Sequence, residues 1–152
     1  MAEVWFYHLE KQPLQHVLPR IVAGALARKW PMVIETAMPE RVAKLSEILW
    51  ASEDVAFLPH GFAGEPTPER QPVWITHSAE NPNAAQVRVF LDGAKPSDIS
   101  NLTRAVVMFD GNDEAAIEAA RAEWKTQKAA GHDISYWKQD ETGKWINQAK
   151  QN

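Results

Sequence analysis

Arg121, Lys125 and Lys128 recur at i, i+4 and i+7, a spacing that sets three cations along one line of a helix. Ile117, Ala120 and Trp124 make an apolar stripe beside them at i, i+3 and i+7. Such a face suits a peptide that brings carboxylates to the cations and an apolar end to the indole edge. A plainer reading competes with this one. Asp113, Glu114 and Glu118 load acids into the first half of the segment and the bases fill the second, as the helix dipole favours. A second group is Leu49-Trp50 followed by Phe57-Leu58-Pro59-His60-Gly61 in a proline-punctuated stretch. Its large apolar side chains either fasten an irregular loop to the body or form an aromatic patch for a partner.

Other chemistry finds little footing. The histidines (His8, His16, His60, His77, His132) show neither H-x-x-x-H nor H-E-x-x-H spacing, and no metal is expected. Neither G-x-x-x-x-G-K-[ST] nor G-x-G-x-x-G occurs, and the segment after the first strand, HLEKQPLQ, holds no glycine to let a pyrophosphate approach the backbone. No G-x-S-x-G elbow presents a serine nucleophile. Glu35, Asp92 and Asp110 stand near strand ends, where carboxylates serve as catalytic acids or, more commonly, as caps and turn formers. Catalytic residues and cofactors are therefore not expected.

The elements that must carry these groups follow from periodicity. Glu3–Leu9 is aromatic and β-branched and reads as a strand. Leu14, Val17, Leu18, Ile21, Val22, Ala25 and Leu26 trace one face of a helix ending near Trp30, with Pro19 at its first turn or at a kink. Met32–Thr36 reads as a second strand and Pro39–Ala51 as a second helix. Residues 52–71 read as irregular, and Pro72–His77, Gln86–Leu91 and Ala105–Phe109 as further strands. A long helix spans about Asp113 to Ala130, with Asn112 as its N-cap and Gly131 as its stop. The tail reads as a short strand, a turn near Gly143 and a second strand. The order predicts one α/β domain with a mostly parallel sheet flanked by helices.

Composition sets the class. The 152 residues suffice for one core, and the hydrophobic share of 45% and charged share of 24% are those of a globular protein. The absence of cysteine excludes disulfides and thiolate sites. The N-terminus has no secretory pattern and no apolar run is long enough to span a membrane, so a cytoplasmic location is expected. A net charge of −4 argues against a protein whose main task is gripping DNA. Seven tryptophans is a high count, which either core filling or interface anchoring accommodates.

At these residues the chain resembles the chi family of DNA polymerase III accessory subunits. The matching pieces are FYHL, ARKWPMVIET, LW followed by FLPHGFAGE, PVWIT, and ARAEWKTQKAAGHDISYWK, in order over almost the whole length. The resemblance implies a single Rossmann-like domain without a phosphate-binding loop and without enzymatic activity; residues 139–152 lie beyond the matching pieces as a C-terminal extension whose role it leaves open. It also implies two contacts. One is to the acidic C-terminal tail of single-stranded DNA-binding protein, through Arg121, Trp124, Lys125 and Lys128; an upstream family position that can be basic is Ile117 here. The other is to the psi subunit or an accessory helicase, through Trp50 and Phe57 with His60 nearby. DNA would be reached only through the polymerase holoenzyme. A small nucleotide-binding domain or enzyme of Rossmann-like fold is the alternative.

Overall fold

A computed structural model describes residues 2–10, 12–52, 58–96 and 99–148. Strands β1 (Glu3–Leu9), β2 (Met32–Thr36), β3 (Gly61–Phe62), β4 (Val73–Thr76), β5 (Val87–Leu91), β6 (Arg104–Asp110), β7 (Asp133–Gln139) and β8 (Trp145–Asn147) form one sheet. Its order is β3-β4-β2-β5-β6-β1-β7-β8. Every pairing is parallel except that of β7 with β8. Among the described residues three α-helices, α1 (Leu14–Ala27), α2 (Val42–Trp50) and α3 (Glu114–Ala129), complete the fold. The expected α/β architecture with a mostly parallel sheet is therefore present.

Connectivity decides which face each helix covers. From β1 the chain crosses through α1 to β2, over β6 and β5, and α2 continues in the same direction toward β4. From β6 it crosses the opposite way through α3 to β7, over β1. Right-handed crossovers in opposite directions place their helices on opposite faces. The larger core accordingly joins Tyr7, Leu9, Ile34, Val89, Val106 and Met108 to Leu18 and Val22 of α1 and Leu45 and Leu49 of α2. A second joins Val4, Phe6, Phe90, Ala105, Val107 and Phe109 to Ala120 of α3, and a small third one joins Val33, Trp74 and Ala85. Strands buried on both faces read as unbroken apolar runs, as AVVMF in β6 does.

Several local expectations change. Pro19 lies inside α1, which begins at Leu14 with Pro13 as its N-cap, so the helix starts before the proline. The stretch from Pro39 opens as a 3₁₀ turn over Pro39–Arg41 before becoming α-helical at Val42. Asp113, not Asn112, caps α3: its carboxylate accepts from the N–H of Ala115 at 3.0 Å and of Ala116 at 3.4 Å. The irregular segment contains β3, whose two residues gave no periodic signal. The polar turn after β4 is a crossover, because β2 lies between β4 and β5. That crossover has no helix and is fastened from below. Arg88 pairs with Glu35 at 2.6 Å and donates to the carbonyls of Ser78 and Glu80. Trp74 Nε1 and Thr76 Oγ1 both donate to the Glu80 carboxylate at 2.8 Å, which holds its pKa below the usual value.

Candidate functional site

The α3 face is built from its cap outward. Asp113 fixes the start, Gly131 at φ 87° ends it, and Ala120 and Gln127 are buried against the sheet. That phase leaves Arg121, Lys125 and Lys128 exposed and Trp124 half-buried. Trp124 and Ile117 pack against the α3-side core together with Ile134 and Tyr136 of β7. Lys128 Nζ sits 4.7 Å from the centre of the Trp124 ring, so that cation rests on the indole face. The structure thus brings all four residues read from this helix onto one surface. It adds two that the sequence reading missed, Ile134 and Tyr136, from the neighbouring strand β7.

Tyr136 ties this surface to a buried histidine. Its ring stacks on Phe6 at 6.2 Å, and its hydroxyl lies 2.9 Å from His8 Nδ1. His8 Nε2 lies 2.8 Å from Glu10, which accepts when ionised, so Nε2 carries the proton and Nδ1 accepts from the tyrosine. The histidine bond, with Lys138 at 3.6 Å, holds the Glu10 carboxyl below its usual range. Burial pushes the Tyr136 phenol up; Arg121 acts against that and Glu10 with it. Arg121 is thus within electrostatic reach of Tyr136. Gly111 makes room for the histidine, since a Cβ there would fall 2.2 Å from His8 Cδ2.

On the other side of α3 a cleft of about 800 Å³ opens where the chain leaves β1 for one face and β6 for the other. Rossmann-like proteins bind ligands at such a switch point. Its charged lining is Glu10, Asp92, Asp110, Asp113 and Glu123 against Arg41 and Lys95, a balance that repels phosphate. The strand-end acids have structural partners. Asp92 accepts from Thr36 at 2.7 Å and Arg41 at 3.3 Å, Asp110 accepts from the Asn112 N–H, and Glu35 holds Arg88. Among the described residues no cluster of three His, Cys, Asp or Glu could hold a metal, and no helix is long and apolar enough to cross a membrane.

The second constellation is half visible. Trp50, at the C-terminus of α2, is 56% exposed, and its ring centre lies 4.7 Å from that of His60. His60 is buried with Nδ1 2.8 Å from the Leu58 carbonyl and Nε2 2.9 Å from the Ser46 hydroxyl. A carbonyl only accepts, so Nδ1 carries the proton and Nε2 accepts the hydrogen bond of the Ser46 hydroxyl. His60 is therefore a post that props the exposed indole, not a free surface group. Phe57 lies outside the described residues. Met38 is exposed at 45%.

A family model described as DNA polymerase III chi subunit, HolC, matches residues 1–135. A protein of Rickettsia prowazekii (strain Madrid E), named as a probable DNA polymerase III subunit chi, is 28% identical over 102 residues. The match covers 67% of this chain and 60% of that relative, so less than two thirds of the relative's length is spanned.

Proposed function

Because the chain belongs to the DNA polymerase III chi subunit family, we propose that it acts as a non-catalytic replication adaptor. One face takes the acidic C-terminal tail of single-stranded DNA-binding protein; the other takes the psi subunit or an accessory helicase and through it the clamp loader. The single observation that carries the tail contact is the α3 face beside β7. Exposed Arg121, Lys125 and Lys128 border a half-buried Trp124, Ile117, Ile134 and Tyr136. Cations beside an apolar patch fit a ligand that ends in a large apolar residue with a free carboxylate. Ile117 contributes packing here where a base would contribute charge.

The mechanism is tethering. The α3 surface and Trp50 lie on elements packed to opposite faces of the sheet, so the two partners need not compete for space. Two modest contacts held together raise the effective concentration of one partner near the other.

Calorimetric titration with a tail peptide of about eight residues, beside the same peptide lacking its final Phe, tests the reading. Expected is binding that the deletion abolishes and that Arg121→Ala and Lys125→Ala each weaken by about five- to tenfold. Absence of binding at low salt, or indifference to both substitutions, would overturn it.

A further inference from the structure

A different surface pairs guanidinium groups with indole rings. On the α1 face of the sheet, Arg28 lies 5.1 Å from the Trp30 ring centre, and Arg104 lies 5.4 Å from that ring and 3.7 Å from Trp5. Trp5 meets Trp137 at 5.5 Å, and Tyr7 meets Trp145 at 5.3 Å. The line runs from the end of α1 through β6, β1 and β7 to β8, a path across adjacent strands. It includes four of the seven tryptophans. Trp5, Trp30, Trp137 and Trp145 are each only half-buried.

Topology explains why they stay accessible. α1 crosses from β1 toward β2, away from β7 and β8, so this side of the last two strands receives no crossover helix. At the α1 end of the line a pocket of about 170 Å³ has Ala25, Met32 and Val106 among its lining and Arg20, Arg28 and Arg104 around it. Arg104 is also paired with Glu3 at 3.0 Å, which fixes it over Trp5. Arg20 and Arg28 are exposed. Gly24, facing the same pocket, has open space where a Cβ would point.

We propose that this face binds single-stranded nucleic acid. Its bases would lie along the partly exposed edges of the indoles of β7 and β8 and in the small pocket, and its phosphates against Arg20 and Arg28. Aromatic side chains on neighbouring strands beside a basic border are the general means of holding unpaired bases, since every base has a π-face. A duplex keeps its bases stacked inside and offers them no access. A purely acidic peptide would use the arginines but gains nothing from the aromatic line beyond them. With only a few arginines meeting phosphates the contact is salt-sensitive.

The test is fluorescence anisotropy of an end-labelled oligothymidylate of about twelve nucleotides titrated with the full chain, from about 50 to about 200 mM salt. Expected is saturable binding that falls with salt, accompanied by quenching of intrinsic tryptophan emission. Arg28→Glu should weaken it by about fivefold or more. Trp137→Ala should weaken it and Trp137→Phe preserve it, folding of each being checked by circular dichroism. Arg121→Glu should leave it unchanged, which separates this face from the tail-binding surface. No binding at the lowest salt, equal affinity for duplex, complete displacement by an acidic peptide, or loss with Arg121→Glu but not Arg28→Glu would each overturn the proposal.

Discussion

Trp137 carries a buried indole N–H with no acceptor among the described residues. An unmet donor costs its desolvation without return, so Trp137→Phe removes a penalty along with some packing. Stability should stay within about 1 kcal/mol of the parent in urea unfolding; a loss of about 3 kcal/mol would mean that the donor is satisfied after all. The tyrosines make a second case. Burial pushes Tyr7 from 10.0 up to about 12, with Arg104 opposing, and Tyr136 is also raised. A folded-state pKa above the unfolded one stabilises the protein below the unfolded value, and that contribution is lost as pH climbs through the folded one. Native protein should therefore show little tyrosinate absorbance near pH 10 and lose stability from there toward pH 12; ordinary titration at pH 10 would contradict this. The cations of α3 were legible in the sequence because i, i+4 spacing is local. Ile134 and Tyr136 were not, since β7 reaches them to the site only by pairing with β1, where Trp5 meets Ser135 and Phe6 meets Tyr136.

Two helices end in the same way with different residues. In α3, Gly131 N–H bonds the Lys128 carbonyl and His132 N–H the Gln127 carbonyl, with Gly131 at φ 87°. In α1, Lys29 N–H bonds Leu26 and Trp30 N–H bonds Ala25, but the left-handed position is Lys29, at φ 58°. A side chain there costs what glycine avoids. Lys29→Gly should raise stability by about 0.5–1 kcal/mol and Gly131→Lys lower it by a similar amount, measured by thermal or urea denaturation. At the other end of α3, Asp113→Ala should cost about 1 kcal/mol, whereas Asn112→Ala should cost less. The stop at Gly131 was readable because glycine announces a left-handed residue. The stop at Lys29 gave no such signal, and the N-cap slipped by one residue because Asn and Asp are equally good caps.

At the scale of the molecule, the strand-and-helix order was enough to foresee a parallel sheet with helices on it. It was not enough to foresee that, among the described helices, α3 would cover a face apart from α1 and α2, because strand order depends on long-range pairing. The helix-free crossover before β5 relies instead on the Glu35–Arg88 pair, whose side chains are only 15% and 9% exposed. Glu35→Ala should cost about 3 kcal/mol or more by stranding the guanidinium; a change under about 1 kcal/mol would show that the Ser78 and Glu80 carbonyls suffice. Placing Trp50 and the α3 surface on opposite faces predicts independence of the two partners. Under the proposed function, Trp50→Ala should weaken binding of the proposed psi or helicase partner while leaving affinity for the tail peptide unchanged in parallel titrations. A joint loss would make the indole part of the fold. Tail binding should also fall as salt rises, since exposed charge pairs are screened over about 8 Å at physiological ionic strength. The family model ends at residue 135, yet β8 begins at Trp145 and turns back antiparallel along Trp137, Lys138 and Gln139. Cutting the chain after Gln139 would strip that cover and leave the backbone groups of β7 as an open template. Such a truncated protein should add copies of itself strand to strand and precipitate at concentrations where the full chain stays dispersed.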